Sequence, residues 1–322
     1  MKRRTKRVAF GLGFLAIAAI VLVVVLVITM LSPAPPPPKG PSGPTTQPEH
    51  RPEAQPADCP DVLVLSVPGT WESKANDDPY RPTANSRSLM LRITKALQGK
   101  FPQSRAEVYT VPYVAQFRNP TVLTDKQRDY NDSRAQGKRR ASAKLAETHG
   151  HCPLTSYVLM GFSQGAVIVG DIASDIGNGR GPIPEQDADL VLGVGLIADG
   201  RRESGKQNDV APSPDGVGAE ITLAPFGSLV PGIEMTGPRP GGFGTLEERT
   251  YSICASGDLI CDAPRVTNPL SAIGKLANAA NNPVHAMYAT TRYWSAGGST
   301  ATQWMFAWAS RLIDEAPHPA HS

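Results

Sequence analysis

Short apolar runs alternate with longer amphipathic segments from residue 61 onward. The apolar runs have the length and branched side chains of strands that are buried on both faces. They predict strands at 61–67, 107–111, 156–160, 190–198 and 250–254. Segments between and after these runs have the spacing or charge of helices and predict helices at 86–97, 130–148 and 300–313. Since strands that alternate with helices form doubly wound sheets, the pattern predicts an α/β fold with a central parallel sheet of about five strands.

Residues 8–31 form a run of 24 residues without a charged side chain, and five basic residues precede it. A helix of this length spans about 36 Å, which is enough to cross a bilayer with some tilt. Residues 1–7 are expected to stay in the cytoplasm because of their positive charge. A cleaved signal peptide is the alternative, although its apolar region is usually shorter and ends at a small-residue cleavage site. We therefore predict a single-pass anchor in the cell membrane, with the rest of the chain outside the cytoplasm.

Residues 32–57 are predicted to be a linker, because ten prolines lie between positions 33 and 57. Such a segment cannot bury a core and is expected to act as a semi-rigid polyproline-like spacer, with plain disorder as the alternative. The remaining segment, 58–322, has the size of one α/β domain. Inside it, 201–248 is rich in glycine and proline and is longer than most connections. We predict a functional loop or lid there, with a disordered insertion as the alternative.

The net charge bears on the kind of partner that the chain could bind. The chain carries a net charge of +3, but without the N-terminal basic cluster 27 basic residues face 29 acidic ones. The composition therefore gives no indication of a nucleic-acid partner.

All four cysteines follow the predicted anchor, in a region where oxidation is permitted, so two disulfides are the simplest expectation. A zinc site is the alternative, but no Cys-x-x-Cys pair exists, and neither a metal nor an organic cofactor is predicted.

The pentapeptide Gly161–Gly165 fits the pattern Gly-x-Ser-x-Gly. It directly follows the predicted strand at 156–160 and precedes an apolar helical run at 166–170. A strand, a tight turn and a helix form the nucleophile elbow of α/β-hydrolases, in which the serine oxygen is exposed above the sheet. The pentapeptide alone occurs by chance in glycine-rich chains, but its context predicts Ser163 as the nucleophile.

A serine nucleophile needs a histidine base, and that base needs an acid that fixes its tautomer. The chain order in this fold is serine, acid, histidine. Three histidines follow Ser163, and two of them lie in a polar tail that is expected to fray. His285 is therefore the predicted base, with a plain surface histidine as the alternative. Asp258 is the predicted acid because it follows the fifth strand in a loop that a Cys254–Cys261 disulfide would close, and Asp262 is its rival.

The oxyanion hole is expected to use two sources of hydrogen-bond donors. The backbone N–H of Gln164 follows the nucleophile directly. A second donor is expected from the loop after the first strand, where Gly69 and Thr70 are well placed.

These residues resemble the cutinase family of α/β-hydrolases, through the elbow at 161–165 and the Cys-x-x-Gly-Asp-x-x-Cys loop at 254–261. The resemblance covers about residues 58–315. It implies a three-layer fold and two disulfides, Cys59–Cys152 and Cys254–Cys261. It also places the oxyanion hydroxyl on Thr70, although Pro68 stands where the family has an arginine.

With its anchor and spacer, the chain is most similar to the membrane-anchored mycobacterial members of that family. They act as esterases, phospholipases A and thioesterases, which implies a lipid acyl ester or thioester as substrate. Acyl chains are then expected to lie against apolar residues of the long loop, with packing on the core as the alternative; these residues are Phe226, Leu229, Val230, Ile233 and Met235.

The expected reaction is hydrolysis through an acyl-enzyme, in the cell envelope and outside the cytoplasm. Two alternatives stay open. One is an acyltransferase that uses the same three residues with an alcohol in place of water, and the other is an inactive hydrolase-fold protein that binds lipid.

Overall fold

The computed structural model describes residues 51–119, 122, 124–226, 231–264 and 282–322. The predicted anchor at 8–31 and most of the predicted linker lie outside these residues. Within the described part of the chain, no helix is both long and apolar enough to cross a membrane. The strands are β1 (Ala54–Gln55), β2 (Val62–Val67), β3 (Ala106–Thr110), β4 (Ser156–Phe162), β5 (Val191–Ile197), β6 (Asn208–Asp209), β7 (Thr250–Ile253) and β8 (Ala320–His321). The helices are α1 (Leu89–Lys100), α2 (Tyr130–His151), α3 (Gln164–Gly177), α4 (Ala219–Leu223) and α5 (Ala301–Glu315).

The main sheet has six parallel strands in the order β3-β2-β4-β5-β7-β6. Its centre is apolar on both faces, as the continuous runs of branched residues require. In β2, Val62 and Val64 belong to one buried cluster, whereas Leu63 and Leu65 belong to the other. β2 therefore contributes to both clusters, because successive side chains of a strand point to opposite faces of the sheet.

Helices cover both faces of the sheet. α1 and α5 supply apolar side chains to the cluster around Val62 and Val64, and α2 and α3 supply them to the cluster around Leu63 and Leu65. The α/β three-layer prediction is confirmed. The sheet has one strand more than predicted. The additional strand, β6, was not predicted because it is only two residues long and is bounded by no apolar run.

Each predicted strand and helix has an observed counterpart, and the differences lie at the ends. α1 begins three residues later than predicted, because the side chain of Ser88 caps it by accepting a hydrogen bond from the N–H of Leu91. Thr300 and Gln303 form a capping box at the start of α5. The apolar run at 190–198 yields β5 only from Val191, because a 3₁₀ turn occupies Glu185–Leu190.

The folded domain begins earlier than predicted, and its C-terminal residues are paired. Gln55 in β1 is fully buried, and β1 pairs in parallel with β8 near the C-terminus. Arg51 forms ion pairs with Asp187 and Asp189. Residues 51–57 therefore pack against the domain instead of continuing the spacer, and the expectation that the polar tail frays is wrong.

The segment 201–248 is tied to the core through buried ion pairs. Arg239 is only 5% exposed, and its guanidinium lies between Asp171 of α3 and Asp199 after β5. Arg201 also pairs with Asp171. Because the described parts of this segment contain α4 and buried charged side chains, a wholly disordered insertion is excluded for them.

Candidate active site

Ser163 lies at the sharp turn between β4 and α3. Its φ of 56° falls in the left-handed region, which is uncommon for residues other than glycine and typical of a nucleophile elbow. A Cβ atom on Gly161 would lie 2.3 Å from the carbonyl oxygen of Gly165, and one on Gly165 would lie 2.1 Å from that of Val67. Both glycines are therefore required by close backbone contacts, and the turn presents the serine at the carboxyl end of the central strand.

The structure brings Ser163, His285 and Asp258 together. Nε2 of His285 lies 2.9 Å from Oγ of Ser163. On the other side of the ring, Nδ1 lies 3.0 and 2.9 Å from the two carboxylate oxygens of Asp258. These are hydrogen-bond distances, so one imidazole links the hydroxyl to the carboxylate. The arrangement can transfer the serine proton to the histidine and stabilise the imidazolium that forms.

Asp258 is fully buried, yet it is held in its ionised form. Burial by itself raises the pKa of this carboxyl group, but the charge and hydrogen bond of His285, the N–H of Ile260 and the hydroxyl of Tyr288 outweigh burial. The net result is a pKa below the ordinary value for aspartate. The carboxylate is therefore charged when it accepts the hydrogen bond from Nδ1 of His285.

Tyr288 is a residue of this site that the sequence analysis missed. Its hydroxyl donates to Oδ2 of Asp258 over 2.7 Å and accepts from the N–H of Ala255 over 2.9 Å. Burial, followed by the nearby charge of Asp258, raises the pKa of Tyr288 well above its usual value, so the hydroxyl stays a donor. The available signal was its position three residues after His285, which places both side chains on one loop.

The loop that carries Asp258 is closed by the Cys254–Cys261 disulfide, with sulfur atoms 2.06 Å apart. Asp262, the rival acid, has another role, because its carboxylate accepts a hydrogen bond from the N–H of Gly257 over 2.8 Å. That bond fixes the turn before Asp258. The second disulfide, Cys59–Cys152, joins the start of β2 to the end of α2, as the resemblance implies.

The two segments that are expected to supply oxyanion donors meet at the elbow. Gln164 is the first residue of α3, where N–H groups have no acceptor within the helix. Across from it, the loop after β2 crosses the elbow. A Cβ atom on Gly69 would lie 2.7 Å from the ring of Phe162, and the one on Gly165 would lie 2.5 Å from the carbonyl oxygen of Pro68. Thr70, which is half-buried, follows directly in this loop.

Comparison with known proteins identifies the family. The sequence model described as Cutinase matches residues 81–297, which include Ser163, Asp258 and His285. The chain belongs to the cutinase family. The resemblance seen in the sequence is thereby confirmed, and membership of the cutinase family classes the chain with serine ester hydrolases.

The chain is similar to several known proteins. A protein of Corynebacterium glutamicum described as a carboxylesterase Culp6 homolog is 48% identical over 268 residues, covering 82% of this chain and 84% of that protein. A cutinase-like protein from Cryptococcus sp. superposes with a TM-score of 0.46 at 16% identity, over 84% of this chain and 100% of the other. The catalytic core of acetyl xylan esterase from Trichoderma reesei gives 0.44 at 19% identity, over 71% and 98%.

Phe162, in the elbow itself, supports the histidine of this cutinase-family site. Its ring stacks on the imidazole of His285, with centroids 5.0 Å apart, and meets the ring of Tyr288 edge-on at 6.1 Å. The histidine is therefore held by an aromatic face as well as by its two hydrogen bonds.

The acyl-contact residues proposed from the sequence do not form an open surface where they are described. Ile233 and Met235 are 4% and 8% exposed and pack in a small cluster with Tyr130, Ala219 and Leu223. Two other candidates, Leu229 and Val230, and the side chain of Phe226 lie outside the described residues. The expectation that Ile233 and Met235 line an acyl groove is therefore wrong in this conformation, because both stabilise the attachment of the long segment.

Among the described residues, one group has the side chains and spacing of metal ligands, namely Cys59, His151 and Cys152. Both sulfur atoms are already bonded to each other, at 2.07 Å. A disulfide lacks the thiolates that bind zinc, so this group does not form a zinc site while it is oxidised.

Proposed function

We propose that this cutinase-family chain is a serine esterase that hydrolyses acyl esters or thioesters of lipids through an acyl-enzyme. The observation that carries the proposal is the continuous line of hydrogen bonds from Ser163 through His285 to Asp258. Its relative from Corynebacterium glutamicum, described as a carboxylesterase homolog, supports an ester as the substrate.

In the proposed mechanism, Oγ of Ser163 attacks the acyl carbonyl while Nε2 of His285 takes its proton. Asp258 holds the Nδ1 proton and balances the positive charge on the ring. The negative carbonyl oxygen is stabilised by the N–H of Gln164 and by donors of the Thr70 loop. His285 then returns the proton to the leaving alcohol or thiol, and water, activated by the same histidine, releases the acid.

We further propose that the catalytic domain works outside the cytoplasm, tethered to the cell membrane by residues 8–31. The apolar run and the basic residues before it support a tether. All four cysteines are paired in disulfides, which supports an oxidising compartment. Protease added to intact cells should remove the domain but leave a cytoplasmic marker intact; protection of the domain would contradict this location.

The test of the reaction uses the full-length chain and p-nitrophenyl esters of increasing acyl length. Ser163→Ala and His285→Ala should each lower kcat by about 10⁴-fold or more, because the serine and its base act as one unit. Ser256→Ala and His318→Ala are matched controls, since both residues are exposed and lie outside the hydrogen-bonded line, and they should keep native rates. A fluorophosphonate should label Ser163 in the native chain.

The opposite outcome is also specific. A folded native chain that neither reacts with the fluorophosphonate nor hydrolyses any of these esters would exclude the esterase proposal. Faster turnover of acyl-thioesters than of matched esters would instead restrict the substrate class to thioesters.

A further inference from the structure

Glu72 is a buried carboxylate next to the candidate oxyanion loop that the triad does not use. It is 9% exposed and follows Thr70 by two residues. Among the described residues, no lysine or arginine forms an ion pair with it. Its partners are backbone N–H groups and the hydroxyl of Ser88, so what it stabilises is the path of the chain.

The two carboxylate oxygens bind different parts of the structure. Oε2 accepts a hydrogen bond from the N–H of Gly69 over 3.1 Å. Oε1 accepts one from the N–H of Leu89, the first residue of α1. Burial raises the pKa of Glu72; the hydrogen bonds from Leu89, Gly69, Ser88 and Met90 favour the anion, but the net result is a pKa above the ordinary value for glutamate. The positive end of the helix dipole also favours a negative charge at this place.

The loop between these anchors needs support, because its backbone is strained. Trp71 has a φ of 63°, in the left-handed region that disfavours residues other than glycine. Its N–H donates to the carbonyl of Ala115 over 2.6 Å, and its own carbonyl accepts from the side chain of Asn85 over 3.2 Å. The hydroxyl of Tyr113 donates to the carbonyl of Pro68 over 2.6 Å. Thr70 is thus bracketed by fixed residues on both sides.

We infer that Glu72 is a positioning residue for the oxyanion hole. Its carboxylate ties Gly69 to the start of α1, and this tie sets where Thr70 lies relative to Ser163. The inference rests on the proposed esterase function, because only a reaction with a negatively charged tetrahedral intermediate needs donors at that place.

Glutamine is the informative replacement because it has the same shape with one acceptor fewer. In Glu72→Gln, an amide NH₂ group must face either the N–H of Gly69 or that of Leu89, so one of the two bonds is lost. Glu107→Gln is the matched control. Glu107 is 8% exposed and accepts from Tyr80 and Lys144, and neither of these bonds reaches residues 68–73.

The experiment measures two quantities on the full-length chain, steady-state ester hydrolysis and amide hydrogen exchange of residues 68–73. In Glu72→Gln, kcat should fall about 10- to 100-fold with KM changed less than about threefold, since misplaced oxyanion donors weaken transition-state binding more than substrate binding. Exchange of residues 68–73 should become faster. A boronic acid that forms a tetrahedral adduct with Ser163 should bind more weakly by a similar factor. Glu107→Gln should change none of these quantities.

Native kcat and native loop exchange in Glu72→Gln would overturn the inference, as would equal losses in the Glu107→Gln control. Faster loop exchange with native kcat would also overturn it, because the loop would then be unconnected to catalysis. If the glutamine variant does not fold, Glu72→Asp replaces it; the shorter acid keeps its charge but reaches only one of the two N–H groups, so the same losses are expected.

Failure of the proposed function gives a different pattern. If the native chain hydrolyses no ester, that function is rejected, while the exchange of residues 68–73 still reports on the tie. Unchanged exchange in the variant would then overturn the positioning role on its own.

Discussion

Replacement of Arg239 by methionine tests whether the long segment 201–248 is a fixed part of the domain. The guanidinium of Arg239 donates to Asp199 over 2.7 and 3.0 Å and to Asp171 over 3.0 Å. Asp199 is 1% exposed. Burial lowers the pKa of Arg239 and the charges of Asp199 and Asp171 raise it, with a net rise, so the arginine is firmly charged.

The magnitude follows from what Arg239→Met leaves behind. Asp171 keeps its ion pair with Arg201 at 2.7 Å, but Asp199 loses both hydrogen bonds to a guanidinium. Removing one partner of a buried pair costs about 3–5 kcal/mol, because the other charge stays buried without compensation. Methionine fills much of the same volume, so little of this loss comes from a cavity.

The assay is equilibrium unfolding of the full-length chain by urea, followed by far-UV circular dichroism. Lys100→Met is the control, since Lys100 pairs with Asp314 at the surface and such pairs contribute about 0–1 kcal/mol. Arg239→Met combined with Asp199→Asn should lose less stability than Arg239→Met alone, because the uncompensated charge is then absent. Limited chymotrypsin digestion should cut the single variant at Phe243 or Leu246, which are buried in the native segment, sooner than it cuts the native chain.

A loss below about 1 kcal/mol in Arg239→Met, or a loss equal to that of the surface control, would refute this reasoning. The segment would then owe its order to its apolar contacts and not to its buried ion pairs.

Three further outcomes are expected. Tyr288→Phe should lower kcat/KM about tenfold with little change in KM, because Asp258 loses a donor that holds it toward His285. His285→Ala removes the partner whose charge and hydrogen bond lower the pKa of Asp258; the lost stability should be fully present near neutral pH and shrink as pH falls below about 4, because the carboxyl is protonated first in the unfolded chain and then, through its lowered pKa, in the native one. Replacing Cys254 and Cys261 by alanine should lower the free energy of unfolding by about 2–3 kcal/mol. Loss of the other disulfide should cost more, roughly 4–5 kcal/mol, because its loop is far longer. Loss of Cys254–Cys261 should nevertheless lower kcat more.

Steady-state kinetics check the Tyr288→Phe outcome. Urea unfolding from pH 3 to 7 checks the outcome for His285→Ala. The disulfide variants need both methods. Native kinetics in Tyr288→Phe would show that the hydroxyl is dispensable. A pH-independent loss in His285→Ala would contradict the ionised state assigned to Asp258. Equal kcat values after loss of either disulfide would show that the loop carrying Asp258 does not need the Cys254–Cys261 disulfide for catalysis.

Much of the fold followed from local patterns. The runs at 61–67 and 156–160 are long, branched and apolar, and such runs are buried strands in most contexts. The pattern could not reveal β6, since two polar residues such as Asn208 and Asp209 carry no periodicity. It also missed the pairing of β1 with β8, which joins segments about 265 residues apart.

The candidate site divides in a similar way. Ser163 lies in a local motif, and Asp258 and His285 follow from chain order and the known needs of a serine nucleophile. Tyr288 was missed because its role depends on Asp258 and Ala255, about 30 residues earlier in the chain; Glu72 was missed because its inferred role depends on how the fold brings it to the start of α1. A tyrosine or a glutamate has no local pattern that distinguishes a buried hydrogen-bond partner from an ordinary surface residue.

The pairing of β1 with β8 has a consequence for orientation. Asp61, at the amino end of β2, binds Arg105 and two histidines of the C-terminal residues, His318 and His321. Both ends of the domain therefore emerge at one pole, below the amino ends of the strands, whereas Ser163 lies at their carboxyl ends, about 20 Å away. A support attached at Arg51 or at the C-terminal residues would hold the domain with its nucleophile facing outward, so immobilised enzyme should meet substrate arriving from solution and not from the support.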